Sequence, residues 1–198
     1  MLISRHTCAA IAGALLLSAC ASQGRMPVLN QYNAEFSPWA SSEAVSAVAF
    51  TRSGGPGDIP GCVAATVSNQ GQTLSDSSGS FFGAYTGNYY RSEQSSQVAG
   101  GSVIEYVAPD GGSVVASGST EYSAGALVSR AVRFKLSVKQ QGDGRKYRYT
   151  GIQQAQSNTG AAANTGFTPV GAWAGANPDM ALASLERLTD SIESCIGR

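Results

Sequence analysis

Between Val128 and Lys139 the chain settles into strict alternation. Val132, Phe134, Leu136 and Val138 have one parity, and Arg133, Lys135, Ser137 and Lys139 the other. A period of two sends successive side chains to opposite faces of an extended backbone, so the run is predicted to be a strand with one face on a core and one in water. Gln141-Gly142-Asp143-Gly144 then turns the chain. Beyond it Tyr147 and Tyr149 keep the apolar parity, and Lys146 and Arg148 the charged one. Upstream, Ser102 to Val107, the turn Pro109-Asp110-Gly111-Gly112 and the return run Ser113 to Tyr122 read as a hairpin. Consecutive hairpins with one apolar face argue an antiparallel meander.

Such a face must be covered, and the C-terminus supplies a cover. Leu185, Leu188, Ile192, Cys195 and Ile196 line one side of a predicted helix, with Glu186, Arg187, Asp190 and Glu193 on the other. Asn177 is placed as its N-cap, Pro178 and Asp179 in its first turn, and Gly197 at its end. A second, short helix is expected at Ser41 to Phe50, with Ser41 or Ser42 as N-cap and Glu43 in the first turn. Gly54 to Gly61 reads as a loop and Cys62 to Val67 as a strand. The polar stretches 69–79 and 94–101 read as loops, and 155–176 as a long connection pinned by Phe167 and Trp173. The expected fold is α+β: a β-meander of four to five strands, with a short N-terminal helix and a C-terminal amphipathic helix packed on one face. No internal repeat is found. The 198 residues suit one domain with a real core, expected at 41–198.

The first residues carry a different signal. Arg5 precedes the apolar run Cys8 to Leu17, ten residues long, where a membrane-spanning helix needs about 20. This is the pattern of a cleaved leader, expected at 1–19. Leu17-Ser18-Ala19-Cys20 resembles the lipobox of bacterial lipoproteins. That resemblance implies a diacylated Cys20 as the new N-terminus and, with Ala21 next to it, delivery to the outer membrane of the cell envelope. Two or more acyl chains hold a protein stably at a bilayer, and no membrane-spanning helix is then required. Residues 20–40 are expected to form a flexible tether.

Removal of the leader takes Cys8 and His6, the only histidine. The remaining domain would hold no imidazole, which excludes Ser-His-Asp and Cys-His catalysis and the usual zinc sites. Cys62 and Cys195 are left, and in an oxidising compartment they are expected to form a disulfide that pins the last helix to the sheet. No metal site, cofactor or catalytic residue is assigned.

The strands from Val103-Ile104-Glu105-Tyr106 through Gly118-Ser119-Thr120, the run Val132 to Lys139, and Asp143-Gly144-Arg145-Lys146-Tyr147-Arg148-Tyr149 resemble an uncharacterised family of exported bacterial domains. The resemblance covers roughly residues 102–154. It implies a TBP-like fold, a curved antiparallel sheet with helices on one side, and carries no activity.

Three features could bear function. Arg133, Lys135, Lys139, Lys146 and Arg148 would form a basic face if the hairpin register aligns them. Beside a membrane or wall it suits an anionic envelope component or a protein partner. Export speaks against nucleic acid, and only 13% of residues are charged, with 13 basic against 13 acidic, which leaves no basic tail for that purpose. A solvated sheet face protected by Lys and Arg is the structural alternative. Phe81 to Tyr90 concentrates five aromatics among glycines. There Tyr85, Tyr89 and Tyr90 could stack on sugars or peptides, or simply fill a core. Glu105 and Glu121 would suit carboxylate-dependent hydrolysis only if they paired across the hairpin. The expected role is therefore a lipid-anchored, non-catalytic interaction or structural protein of the envelope. A glycan-binding module or a hydrolase is the alternative.

Overall fold

The computed structural model describes residues 24–125 and 128–197. The leader and Cys20 lie outside the described residues. In chain order the elements are β1 (Asn33–Trp39), β2 (Ser42–Ser53), α1 (Ile59–Thr66), β3 (Gln72–Asp76), β4 (Phe81–Phe82) and β5 (Tyr89–Tyr90). They continue with β6 (Gln94–Val98), β7 (Ile104–Val107), β8 (Ser113–Ser123), β9 (Ser129–Gln141), β10 (Gly144–Gln156), β11 (Thr168–Pro169) and α2 (Pro178–Ile196).

The alternating run is β9, at the middle of the sheet. Val132, Leu136 and Val138 are fully buried, Phe134 nearly so, and Tyr147 and Tyr149 of β10 join them. The main sheet is antiparallel, in the order β1-β2-β10-β9-β8-β7, with β11 adding a short pair to the end of β10. The expected meander is β7 to β10. The β1–β2 hairpin then docks on β10, taking the sheet to seven strands rather than four or five. β10 keeps both neighbours by bending at Gly151, whose φ of 59° suits glycine, where the ladder with β9 slips. Both helices lie on one face. α2 crosses β8, β2 and β10, and α1 packs against α2, β8 and β7. The class is α+β, with the C-terminal helix on the sheet.

Several expectations are corrected. Ser41 to Phe50 is not a helix but most of β2. Val45 and Val48 stand three apart, as on a helix face. Here a bulge produces that spacing: Ser46 has no ladder partner, and the register slips between Glu35 and Phe36. Cys62 to Val67 is not a strand: its first five residues lie in α1. Asp58 accepts a hydrogen bond from the Gly61 N–H at 2.9 Å, and Ile59, Cys62 and Val63 form the buried stripe at i, i+3, i+4. Cys62 and Cys195 are joined, with Cα atoms 5.6 Å apart, so the disulfide ties α2 to α1 rather than to the sheet.

Most of the supposed tether is structured as well. Pro27–Gln31 is a 3-10 turn with Leu29 buried, and Asn33–Trp39 is strand β1. Two prolines, Pro27 and Pro38, and polar residues suggest a coil, but Leu29, Tyr32 and Phe36 find the core. Asn177 does precede α2, yet its backbone is left-handed and its side chain makes no capping bond. The polar stretches 69–79 and 94–101 contain the paired strands β3 and β6. Trp173 does pin its connection, stacking on Trp39 with ring centroids 5.6 Å apart.

Candidate binding surface

Among the described residues no helix covers the face of the sheet opposite α1 and α2. Register decides what stands on it. Lys139 faces Lys146 directly, Ser137 faces Arg148, Lys135 faces Thr150 and Arg133 faces Gln153. Cross-strand partners share a face, so Arg133, Lys135, Lys139, Lys146 and Arg148 are brought together, as expected. β8 extends the same rungs with Ser113, Ser117 and Ser119.

The five cations differ in what they touch. Lys135 Nζ lies 2.9 Å from Glu105 of β7, and Arg148 grips Glu35 of β1 through two nitrogens, at 2.6 and 2.8 Å. These hydrogen bonds hold both carboxyls below the usual carboxylate range, with the Ser117 hydroxyl adding to the effect at Glu105. Arg133 sits 4.0 Å over the Phe167 ring and donates to Gln153 Oε1 at 3.0 Å. Among the described residues Lys139 and Lys146 have no salt-bridge partner. Like charges directly across a ladder repel, and this pair is left as the open positive end of the face, next to the β9–β10 turn.

Below it, toward β8, the face carries a cleft of about 390 Å³. Arg133, Lys135, Ser117 and Gln153 line its floor, and Asn69, Gly100 and Gly101 its other wall. The amide of Asn69 is held by the Ser102 carbonyl at 3.0 Å. No local pattern singles out Asn69, Ser117 or Gln153. Only the register and the return of residues 99–101 to Asn69 place them there.

The helix-side face treats its charges differently. Arg52 reaches Asp190 and Glu186, and Arg145 reaches Glu193. The acids expected on the solvent side of α2 are thus turned toward sheet arginines.

Tyr85, Tyr89 and Tyr90 stand apart from the basic face. They belong to an arm built from β3 with β6 and, further out, β4 with β5. Phe81 stacks on Tyr90 at 5.2 Å and Phe82 meets Tyr89 at 5.1 Å. None of the five aromatics fills a core: Phe82 is 73% and Tyr85 104% exposed.

The carboxylate pair does not form. Glu105 is bound by Ser117 and Lys135. Glu121 lies four residues beyond Ser117 on β8, about 13 Å along a strand, outside the 5–9.5 Å of a glycosidase pair. Among the described residues there is no group of three possible metal ligands, and no helix is long and apolar enough to cross a membrane.

Compared with family models, curated proteins and solved structures, the chain finds no match in any of the three. The class that fold and site define is an α+β domain with one helix-covered and one basic, open sheet face.

Proposed function

We propose that this chain is a lipid-anchored, non-catalytic binding protein of the cell envelope, tethered at the outer membrane through Cys20, which offers the open face of its sheet to an anionic partner. The observation that carries the reading is the alignment of five cations on one face, with the Lys139–Lys146 rung, free of salt bridges, at its turn end and a cleft lined by Arg133 and Lys135 further along. The lipobox-like Leu17-Ser18-Ala19-Cys20 and the long-range disulfide support export to an oxidising compartment. Phosphate or carboxylate groups of an envelope polymer have the chemistry this face takes.

The ion pairs direct the test. Lys135 and Arg148 are already engaged, so Lys139 and Lys146 should carry the recognition. Each Lys near an anionic surface contributes about 1 kcal/mol. Lys139→Glu with Lys146→Glu should therefore weaken retention on dextran sulfate by at least about tenfold and remove cross-linked envelope partners. Wild-type binding should also fall as salt rises. Unchanged retention and partner recovery, with the melting curve preserved, would reject the anionic-partner reading.

A further inference from the structure

We infer that the arm between β3 and β6 is a second membrane contact, its aromatic tip resting at the headgroup level of the bilayer that holds Cys20. The inference rests on the anchored reading above and adds a surface to it.

Topology sets the direction of the arm. β10 runs toward Gln156, and Ser157 continues its ladder by donating to the Ser129 carbonyl at 3.0 Å. Ser75 of β3 bridges Asn158 in parallel, and the Ser77 N–H donates to the Gly160 carbonyl at 2.7 Å. β3 therefore leaves the sheet past the Gln156 end, and residues 81–90 lie further along. Among the described residues, the hydrogen bonds and ring contacts of 81–90 stay within that segment.

The described chain begins at the same end. Met26 donates to the Ala172 carbonyl at 2.9 Å, Arg25 pairs with Glu43 at 2.8 Å, and Ala44 bridges Gly171, all beside the start of β2. That start lies toward the Gln156 end, since Ala47 faces Thr150 and the strands are antiparallel. Only five residues separate Cys20 from Met26, at most about 22 Å of chain. From Ser75 to Phe82 the arm extends at most about 23 Å. The two limits are of the same order, so a bilayer holding Cys20 comes within reach of the tip.

The chemistry of the tip fits that interface. No charged residue occurs between Asp76 and Arg91, while five aromatics do. Tyr rings sit well at headgroup level, with the ring toward the acyl chains and the hydroxyl toward water. A two-stranded ribbon with open edges cannot enter the hydrocarbon core, where unpaired backbone groups find no partner. The contact is therefore interfacial.

The test uses the full-length lipoprotein reconstituted in phosphatidylcholine vesicles, which are neutral and leave the basic face uninvolved. Tyr85→Trp adds a reporter at a fully exposed position, read against the background of Trp39 and Trp173 in the unsubstituted protein. The mass of the N-terminal fragment reports acylation of Cys20 separately. Blue-shifted added emission, quenched severalfold by brominated lipid, supports the proposal. An acylated protein whose reporter stays water-like and unquenched overturns the arm contact and leaves the anchor standing. An unmodified Cys20 overturns the anchored reading and this proposal with it, an outcome that the fragment mass tells apart from the previous one. Emission that is insensitive to brominated lipid but changes on dilution or with soluble glycan chains assigns the tip to a second copy or to a sugar, and also overturns the proposal.

Discussion

Arg145 of β10 and Glu193 of α2 are joined by two parallel bonds, Nε to Oε1 at 2.8 Å and Nη2 to Oε2 at 2.5 Å, with the arginine side chain only 3% exposed. The Tyr147 hydroxyl donates to the same carboxylate at 2.6 Å, and Arg145 Nη1 reaches the Gly55 carbonyl. Sheet, helix and the β2–α1 loop meet on one guanidinium. Truncating one member of a buried pair strands the other, at a typical cost of about 3–5 kcal/mol. Arg145→Ala should lower stability by that order in urea denaturation. A loss under about 1 kcal/mol, the scale of an exposed pair, would show that Glu193 simply turns to water.

The same pair sets an acid limb. Hydrogen bonding to Arg145 holds the Glu193 carboxyl below its ordinary value of 4.5. A carboxylate with a depressed folded pKa stabilises the fold fully above its unfolded pKa, and the contribution is lost as pH falls through the folded one. Stability should therefore decline below about pH 4.5, and Glu193→Gln should flatten that part of the profile. Melting temperatures measured from pH 6 down to pH 2 in both proteins decide it. Parallel profiles would rule the pair out as the source.

The Cys62–Cys195 bridge closes a loop of 133 residues. In the chain-entropy account a closure of this length contributes on the order of 4–5 kcal/mol. Cys62→Ser with Cys195→Ser, or a reducing agent, should lower the denaturation midpoint accordingly while leaving the sheet signal in circular dichroism. An unmoved midpoint after reduction would mean that packing between α1 and α2 suffices.

Gly118 of β8 is a close-approach glycine. A Cβ there would lie 2.3 Å from Val67 Cγ1 and 3.1 Å from Phe134 Cζ. Gly118→Ala should cost about 1–3 kcal/mol by overpacking, and Val67→Ala on top of it should recover part of that loss. Additive losses in the double variant, measured by thermal or chemical melts, would show that the two sites do not share this space.

The basic face was legible because alternation is a local property. Lys135 and Lys139 must project to one side of β9, and the Gly142 turn, at a φ of 59°, fixes which residues of β10 join them. The neutralisation of Arg148 was not legible: Glu35 lies 113 positions away, and nothing near either residue announces the other. The aromatic segment was visible as composition. Its exposure depends on the polar strands β3 and β6, which carry too few apolar residues to read as strands.

From the chain alone came the alternating strands β8 to β10, their glycine turns, the amphipathic C-terminal helix and the two cysteines left to pair. Each follows from spacing within a dozen residues, where backbone period and side-chain polarity act together. Only the tertiary structure decided that 42–53 is a strand and 59–66 a helix, since a bulge and an Asp58 cap reverse the local preference. It also decided which charges are spent on α2 and which stay open, because ion pairing between distant segments depends on strand order and register, which no local pattern records.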